Sequence, residues 1–181
     1  MIRAIIGTVA VLAGFGVVEQ SVDASTGLAG SCKATQAYAL LHAGEQMAVR
    51  ATPTPEGVVI GALAPRNMTA EVSPSVVTMI GSQSGWARIA LGGADYTAAP
   101  GSQRQFGWIP ADQLAVDSRL NGPVTIYSRP GLMGRELSKV ENKEMQFRVL
   151  GCRGEWLQVI NAEKGNVWID RWCSKEEGCH G

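Results

Sequence analysis

The chain has 181 residues and balances 16 basic against 16 acidic side chains. That length holds one ordinary domain or two small ones, and with no basic stripe in either half, nucleic acid is a poor partner. The 22 glycines, 8 prolines and 5 tryptophans, with few long helical patterns, predict an all-β fold of short strands joined by turns.

At the N-terminus Arg3 precedes an apolar run, Ala4 to Val18, which gives way to polar residues from Glu19 to Asp23. A positive start, an apolar stretch and small residues before a cut form a secretory signal; Val22 and Ala24 hold the small positions, so cleavage is expected after Ala24. A bilayer span needs about 20 apolar residues, and this run stops at Glu19. Residues 1–24 are therefore read as a signal peptide, with no membrane span after its removal and a periplasmic or secreted location. Loss of Arg3, Glu19 and Asp23 leaves a formal charge of about +1. Residues 25–45 read as a linker, within which "KATQAYALLHAGEQ", from Lys33 to Gln46, has the spacing of a helix with Ala37, Leu40 and Leu41 on one face.

Export lets the four cysteines, Cys32, Cys152, Cys173 and Cys179, oxidise, and four allow three connectivities. A zinc site drawn from Cys152, Cys173, Cys179 and His180 lacks the paired short spacings of structural zinc. Disulfides are expected, and no metal.

Beyond residue 46 the chain repeats itself. "VTMIGSQSGWARI", Val77 to Ile89, matches "FRVLGCRGEWLQV", Phe147 to Val159, at a shift of 70 positions: Gly81 meets Gly151 and Trp86 meets Trp156. Apolar residues alternate at Val77 and Met79 and again at Phe147 and Val149, the period of a strand with one buried face. The match extends in order on both sides. "VRATP" at Val49 matches "IYSRP" at Ile126, "GVVIGAL" at Gly57 matches "GRELSKV" at Gly134, and "GWIPAD" at Gly107 matches "VWIDRW" at Val167. These correspondences predict two copies of one unit. The first carries extra residues near Arg66–Pro74 and Gly92–Gln105; the second of these, "GGADYTAAPGSQRQ", reads as a long hairpin tip.

The series "VR.TP", "VIGAL", "VTMIG..SGWARI", "GWIPADQL" resembles a bacterial SH3-like (SH3b) domain, and "IYSRP" through "VWIDRW" resembles a second, more divergent one. The resemblance implies two small SH3-like β-barrels in tandem, residues 46–116 and 117–174, each of about five strands, with a helical turn near "PADQ" and "DRWC" and a tail at 175–181. Units this small have marginal cores, so docking or a disulfide would support them. In the SH3-like arrangement the loop holding Cys152 approaches the turn holding Cys173, which favours that pair; the competing choice joins Cys173 to Cys179 and leaves Cys32 for Cys152.

Catalytic chemistry has little to start from. The only histidines are His42 and His180, no length remains for a separate peptidase domain, and carboxylates such as Asp112, Glu155 and Asp170 fall on turns. A non-catalytic protein without cofactors is expected. Tryptophans beside loops suit binding. Trp86 and Trp156 follow the loop that borders the ligand groove in SH3-like barrels, or else close the end of the core. Tyr127 and Trp172 extend that groove in the second unit or are core. Trp108 and Trp168, next to Ile109 and Ile169, read as half-core. Members of the family often contact peptidoglycan, which implies a cell-wall peptide or glycan as ligand. The rival partner is an envelope protein, gripped by the 92–105 segment as a hydrolase inhibitor, an immunity-type protein or an envelope assembly factor would grip it. The aromatic neighbours of Trp156, with Arg153 and Glu155 beside it, favour the second unit as the binding one.

Overall fold

The computed structural model describes residues 30–42, 44–64, 75–93, 95–118, 123–141, 145–174 and 179–180. The expected signal at 1–24 and the first expected insertion at 66–74 lie outside the described residues. In chain order the strands are β1 (Gly30–Ala39), β2 (Met47–Arg50), β3 (Val59–Leu63), β4 (Val76–Gln83), β5 (Trp86–Ala90), β6 (Tyr96–Ala98) and β7 (Phe106–Pro110). A 3₁₀ turn at Ala111–Gln113 follows. Then come β8 (Leu114–Asp117), β9 (Val124–Tyr127), β10 (Glu136–Val140), β11 (Gln146–Arg153), β12 (Trp156–Asn161), β13 (Gly165–Ile169), β14 (Trp172–Cys173) and β15 (Cys179–His180).

The protein is all-β, as glycine, proline and the period-two alternation predict. Its strands form one open antiparallel sheet in the order β10-β9-β13-β12-β11-β8-β1-β4-β5-β7-β2-β3-β6, with β14 on β8 and β15 on β14. Alternation sets burial along each strand. In β12, Leu157, Val159 and Asn161 are buried while Trp156, Gln158 and Ile160 are not. A single apolar core results, with Val49, Met79, Ile89, Ile109 and Leu114 fully buried in one half and Ile126, Phe147, Val149, Val159 and Ile169 in the other.

The pairing of the two halves coincides residue by residue. Arg50 pairs with Val59 and Val49 with Gly61; Tyr127 pairs with Glu136 and Ile126 with Ser138, so both hairpins skip one residue at the same place, Ile60 and Leu137. Met79 pairs with Ile89 and Gly81 with Arg88; Val149 pairs with Val159 and Gly151 with Gln158, placing matched bulges at Ile80 and Leu150. A bulge adds one unpaired residue and sharpens the local twist, so two halves with bulges at the same steps bend alike. Arg50 pairs with Trp108 as Tyr127 pairs with Trp168. These register pairs follow the sequence correspondences segment by segment.

Four expectations are corrected. The Ala-rich segment from Lys33 runs as far as Ala39 in strand β1 rather than in a helix, because it is held on both flanks, by β4 (Ala37 opposite Val77) and by β8 (Ala39 opposite Leu114). Ladder bonds on two sides outweigh a weak helical propensity, and β1 is thereby part of the sheet and not a linker. Segment 92–105 is not a free hairpin tip: its middle is β6, paired to β3 with Ala98 opposite Gly61 and Tyr96 opposite Leu63. The first half has its 3₁₀ turn at "PADQ", but the second has a bend at Asp170 followed by β14 where "DRWC" implied a helical turn. The favoured disulfide also changes, since Cys152 bonds to Cys32, with Cα atoms 5.6 Å apart. Strand β1 lies beside β11 at a parallel bridge between Cys32 and Gly154, a contact that only the placement of β1 creates. Cys173 is also disulfide-bonded, and the backbone register sets it opposite Cys179.

The two halves meet along β1, β8 and β11. Ser82 and Cys152, matched positions of the two copies, bind each other. The Cys152 N–H donates to Ser82 Oγ at 2.9 Å, and the Ser82 hydroxyl donates to the Cys152 carbonyl at 3.2 Å. Nearby, the Tyr38 side chain is 1% exposed; its hydroxyl donates to Asp117 Oδ1 at 2.7 Å and accepts from Gln146 Nε2 at 2.8 Å. Burial, and then the bond to Asp117, push the Tyr38 phenol well above its usual range.

Candidate ligand groove

Trp86 opens β5 just after a two-residue hairpin turn. Ser84 and Gly85 both have positive φ, 48° and 80°, the pattern of a type I′ turn whose twist matches that of the flanking strands. The Gly85 carbonyl accepts from the Ala111 N–H at 2.8 Å, fixing this turn to the 3₁₀ turn. Alternation then puts Ala87 into the core and leaves Trp86 half-buried on the outer face, opposite Pro110 of β7.

A groove of about 620 Å³ opens there, lined among others by Met47, Arg50, Pro55, Trp86, Pro110 and Gln113. Arg50 shapes its rim. The guanidinium donates from Nη1 to the Gly57 carbonyl at 2.8 Å and so pins the 51–57 loop that carries Pro55. The groove offers an aromatic surface, a cation at Arg50, a carboxylate at Glu45 and side-chain amides. That combination suits a ligand with an apolar face and polar or charged groups of both signs at its edge.

The same outer face continues away from the groove. Arg88 pairs with Trp108 and Ala90 with Phe106, and the Arg88 guanidinium carbon lies 3.6 Å from the Phe106 ring centroid, a cation–π contact. Neither Arg50 nor Arg88 stood out in the sequence. Their signal was available in the alternation, since both share the outward period with Trp86 and Trp108.

In the second half the matched residues are Tyr127 for Arg50, Leu132 for Pro55 and Trp156 for Trp86. Tyr127 and Trp156 meet edge-to-face, with centroids 5.0 Å apart and planes at 82°, a favoured aromatic geometry. Trp156 also follows a tight turn, here with the positive φ on Gly154 (59°). Strand β1 clamps that turn: Lys33 N–H donates to the Gly154 carbonyl, Gly154 N–H donates to the Ser31 carbonyl, and the exposed Lys33 and Glu155 side chains pair at 2.7 Å. Within this pair the hydrogen bond, and then the attraction of opposite charges, raise the lysine pKa and lower that of the glutamate.

Of the four sequence candidates, Trp86, Tyr127 and Trp156 are half-buried on the outer face. Trp172 is not with them. It is 2% exposed and belongs to the core, with β14 paired onto β8, so it adds no aromatic surface beside Tyr127 and Trp156. Among the described residues no helix is long and apolar enough to cross a membrane, and no three His, Cys, Asp or Glu side chains gather as metal ligands. Comparison with protein-family models, with curated proteins and with solved structures finds no match to this chain.

Proposed function

We propose that the protein is an exported, non-catalytic binding protein of two SH3-like units that hold a cell-wall peptide or glycan in matched outer grooves. The observation that carries this reading is the position of Trp86 with Arg50 and of Trp156 with Tyr127. Two copies with the same registers and the same bulges present a half-buried aromatic at the same place. A fully buried tryptophan serves packing alone; one left half-buried at the same place in both copies, beside a groove in the first, suits stacking on a sugar face or a peptide side chain. Arg50 adds a cation for the carboxylates of peptide stems. The first half, with an open groove of about 620 Å³, is the stronger site. In the second, Tyr127 packs its ring against Trp156.

The reading is tested by co-sedimentation of the mature chain with purified sacculi. Retention above a matched control protein is expected, and it should fall in Trp86→Ala. Retention no greater than the control removes the cell-wall ligand. Capture of an envelope protein instead, with sacculi ignored, would favour the rival class. Deleting 94–104 is a poor tool for that rival, because it strips β6 from the sheet.

A further inference from the structure

The two halves differ at one edge. In the first, β6 lies along the outer side of β3: Gly61 faces Ala98, Ala62 faces Thr97 and Leu63 faces Tyr96. The Ala64 N–H donates to the Asp95 carbonyl at 3.0 Å and the Ala99 N–H to the Ile60 carbonyl at 2.9 Å. By the two-residue period, Ile60, Ala62 and Ala64 turn their peptide groups toward β6. Tyr96 completes the contact, its hydroxyl donating to the Ile60 carbonyl at 2.9 Å with its ring over Gly61, where a Cβ would collide with it. The segment supplying β6 is the part of the Trp86–Trp108 loop that has no counterpart in the shorter Trp156–Trp168 loop.

Strand β10 is the counterpart of β3. Its pairing with β9 repeats that of β3 with β2 through every step, so Ser138, Lys139 and Val140 stand where Gly61, Ala62 and Leu63 stand. Among the described residues β10 ends the sheet, and no strand lies beyond it. Its outward peptide groups are those of Leu137, Lys139 and Glu141. At the Glu136 end, the turn leading into β10 carries Leu132 and Met133, 105% and 74% exposed. That turn is built, not slack: Arg129 Nε donates to the Met133 carbonyl at 2.7 Å, and the Arg135 N–H donates to Ser128 Oγ at 3.1 Å.

We propose that the outer edge of β10 is a docking site for an extended peptide segment of another protein, added antiparallel to Ser138–Val140 as β6 is added to β3. The first half carries its occupant in its own chain; the second takes it from a partner. Antiparallel addition runs the peptide's C-terminal end toward Leu132 and Met133, so an apolar residue there gains cover. Ser138 in place of Gly61 sets selectivity, because its Cβ fills the space that the Tyr96 ring uses. The segment opposite Val140 therefore carries a small or β-branched residue and not an aromatic one. This site lies on the sheet edge and not on the face that carries Trp156 and Tyr127; Leu132 borders both, and the Lys139 and Glu141 amides report on the edge alone.

The probe is the nine-residue peptide of residues 93–101, "GADYTAAPG", and its variant with threonine in place of the tyrosine, titrated at millimolar concentration into the ¹⁵N-labelled chain. The threonine peptide should shift the Lys139 and Glu141 amides saturably and slow their hydrogen exchange. N-methylation of the peptide residue facing Lys139 should weaken binding by about tenfold, the value of one ladder bond. The tyrosine peptide should bind the parent more weakly and recover in Ser138→Gly. Absence of shifts at Lys139 and Glu141 with both peptides, in both parent and Ser138→Gly, overturns the proposal, as does binding indifferent to N-methylation. Protection of these amides in the free protein that grows with protein concentration would assign the edge to a second copy of the chain and overturn it too.

Discussion

Replacing Tyr38 with phenylalanine tests how the two halves are joined. The substitution keeps the ring, which is buried at the seam of β1, β8 and β11, and removes two hydrogen bonds, one to the Asp117 carboxylate and one from the Gln146 amide. A hydrogen bond to a charged group contributes about 1.5 to 3 kcal/mol and a neutral one about 1. Gln146 is exposed and Asp117 partly so, which lets water replace part of the loss. The expected cost is about 2 kcal/mol, or about 4 to 8 °C in thermal midpoint for a chain of this size. Urea unfolding at neutral pH measures the first and calorimetry the second. The pH dependence gives an independent check. The folded phenol keeps its proton beyond the range in which an unfolded tyrosine, with a pKa of about 10, loses it. The unfolded state then binds fewer protons, so the Tyr38 contribution, complete below about pH 10, declines as pH rises above it. The gap between parent and Tyr38→Phe should therefore narrow from neutral pH toward pH 11. A variant within about 0.5 kcal/mol of the parent, well below the value of one charged hydrogen bond, or a gap constant across that range, would refute the reasoning.

Removing the Cys32–Cys152 bridge, which closes a sequence separation of 120, should cost about 3 to 5 kcal/mol on the chain-entropy scale, read by urea unfolding of the Cys32→Ala/Cys152→Ala protein; non-reducing peptide mapping should recover the Cys32–Cys152 peptide from the parent. Trp172→Ala should destabilise by about 3 to 5 kcal/mol because its side chain is core, while half-buried Tyr127→Ala should cost about 1 to 2 kcal/mol for partial loss of that burial; equal midpoints for the two would contradict the assignment of Trp172 to the core. Expression of the full chain in an exporting host should yield a mature protein whose intact mass begins at Ser25, and recovery of the unprocessed chain would remove the export reading.

What the sequence disclosed was local. Strand alternation and the Gly–Trp turns depend on neighbours a few residues apart, the four matched segments on a comparison along the chain, and the strand registers follow them, down to bulges at matched steps. What it concealed depends on distant partners. Ala37, Leu40 and Leu41 have helical spacing, yet the chain through Ala39 is strand β1, because β4 and β8 supply ladder bonds on both flanks. The Cys32–Cys152 pair follows from that same placement. Trp172 resembles any other loop-side tryptophan until β14 is seen paired onto β8. Strand β6 hid inside a glycine-rich stretch, where only Gly61 on a distant strand makes room for Tyr96. At the candidate grooves, Trp86, Tyr127 and Trp156 were legible as aromatics near turns. Arg50 and Arg88 have only the outward period of their strands as a signal; that they meet Trp86 and Phe106 depends on strand pairing.

The proposal that matched outer grooves hold a cell-wall ligand is tested most directly by titrating soluble peptidoglycan fragments into the mature protein and following tryptophan emission. Saturable change is expected in the parent, with the affinity reduced at least tenfold in Trp86→Ala, a loss of about 1.4 kcal/mol, and the fold unaltered by circular dichroism. A parent that shows no saturable response, or a Trp86→Ala protein that binds the fragments as tightly as the parent, would contradict it.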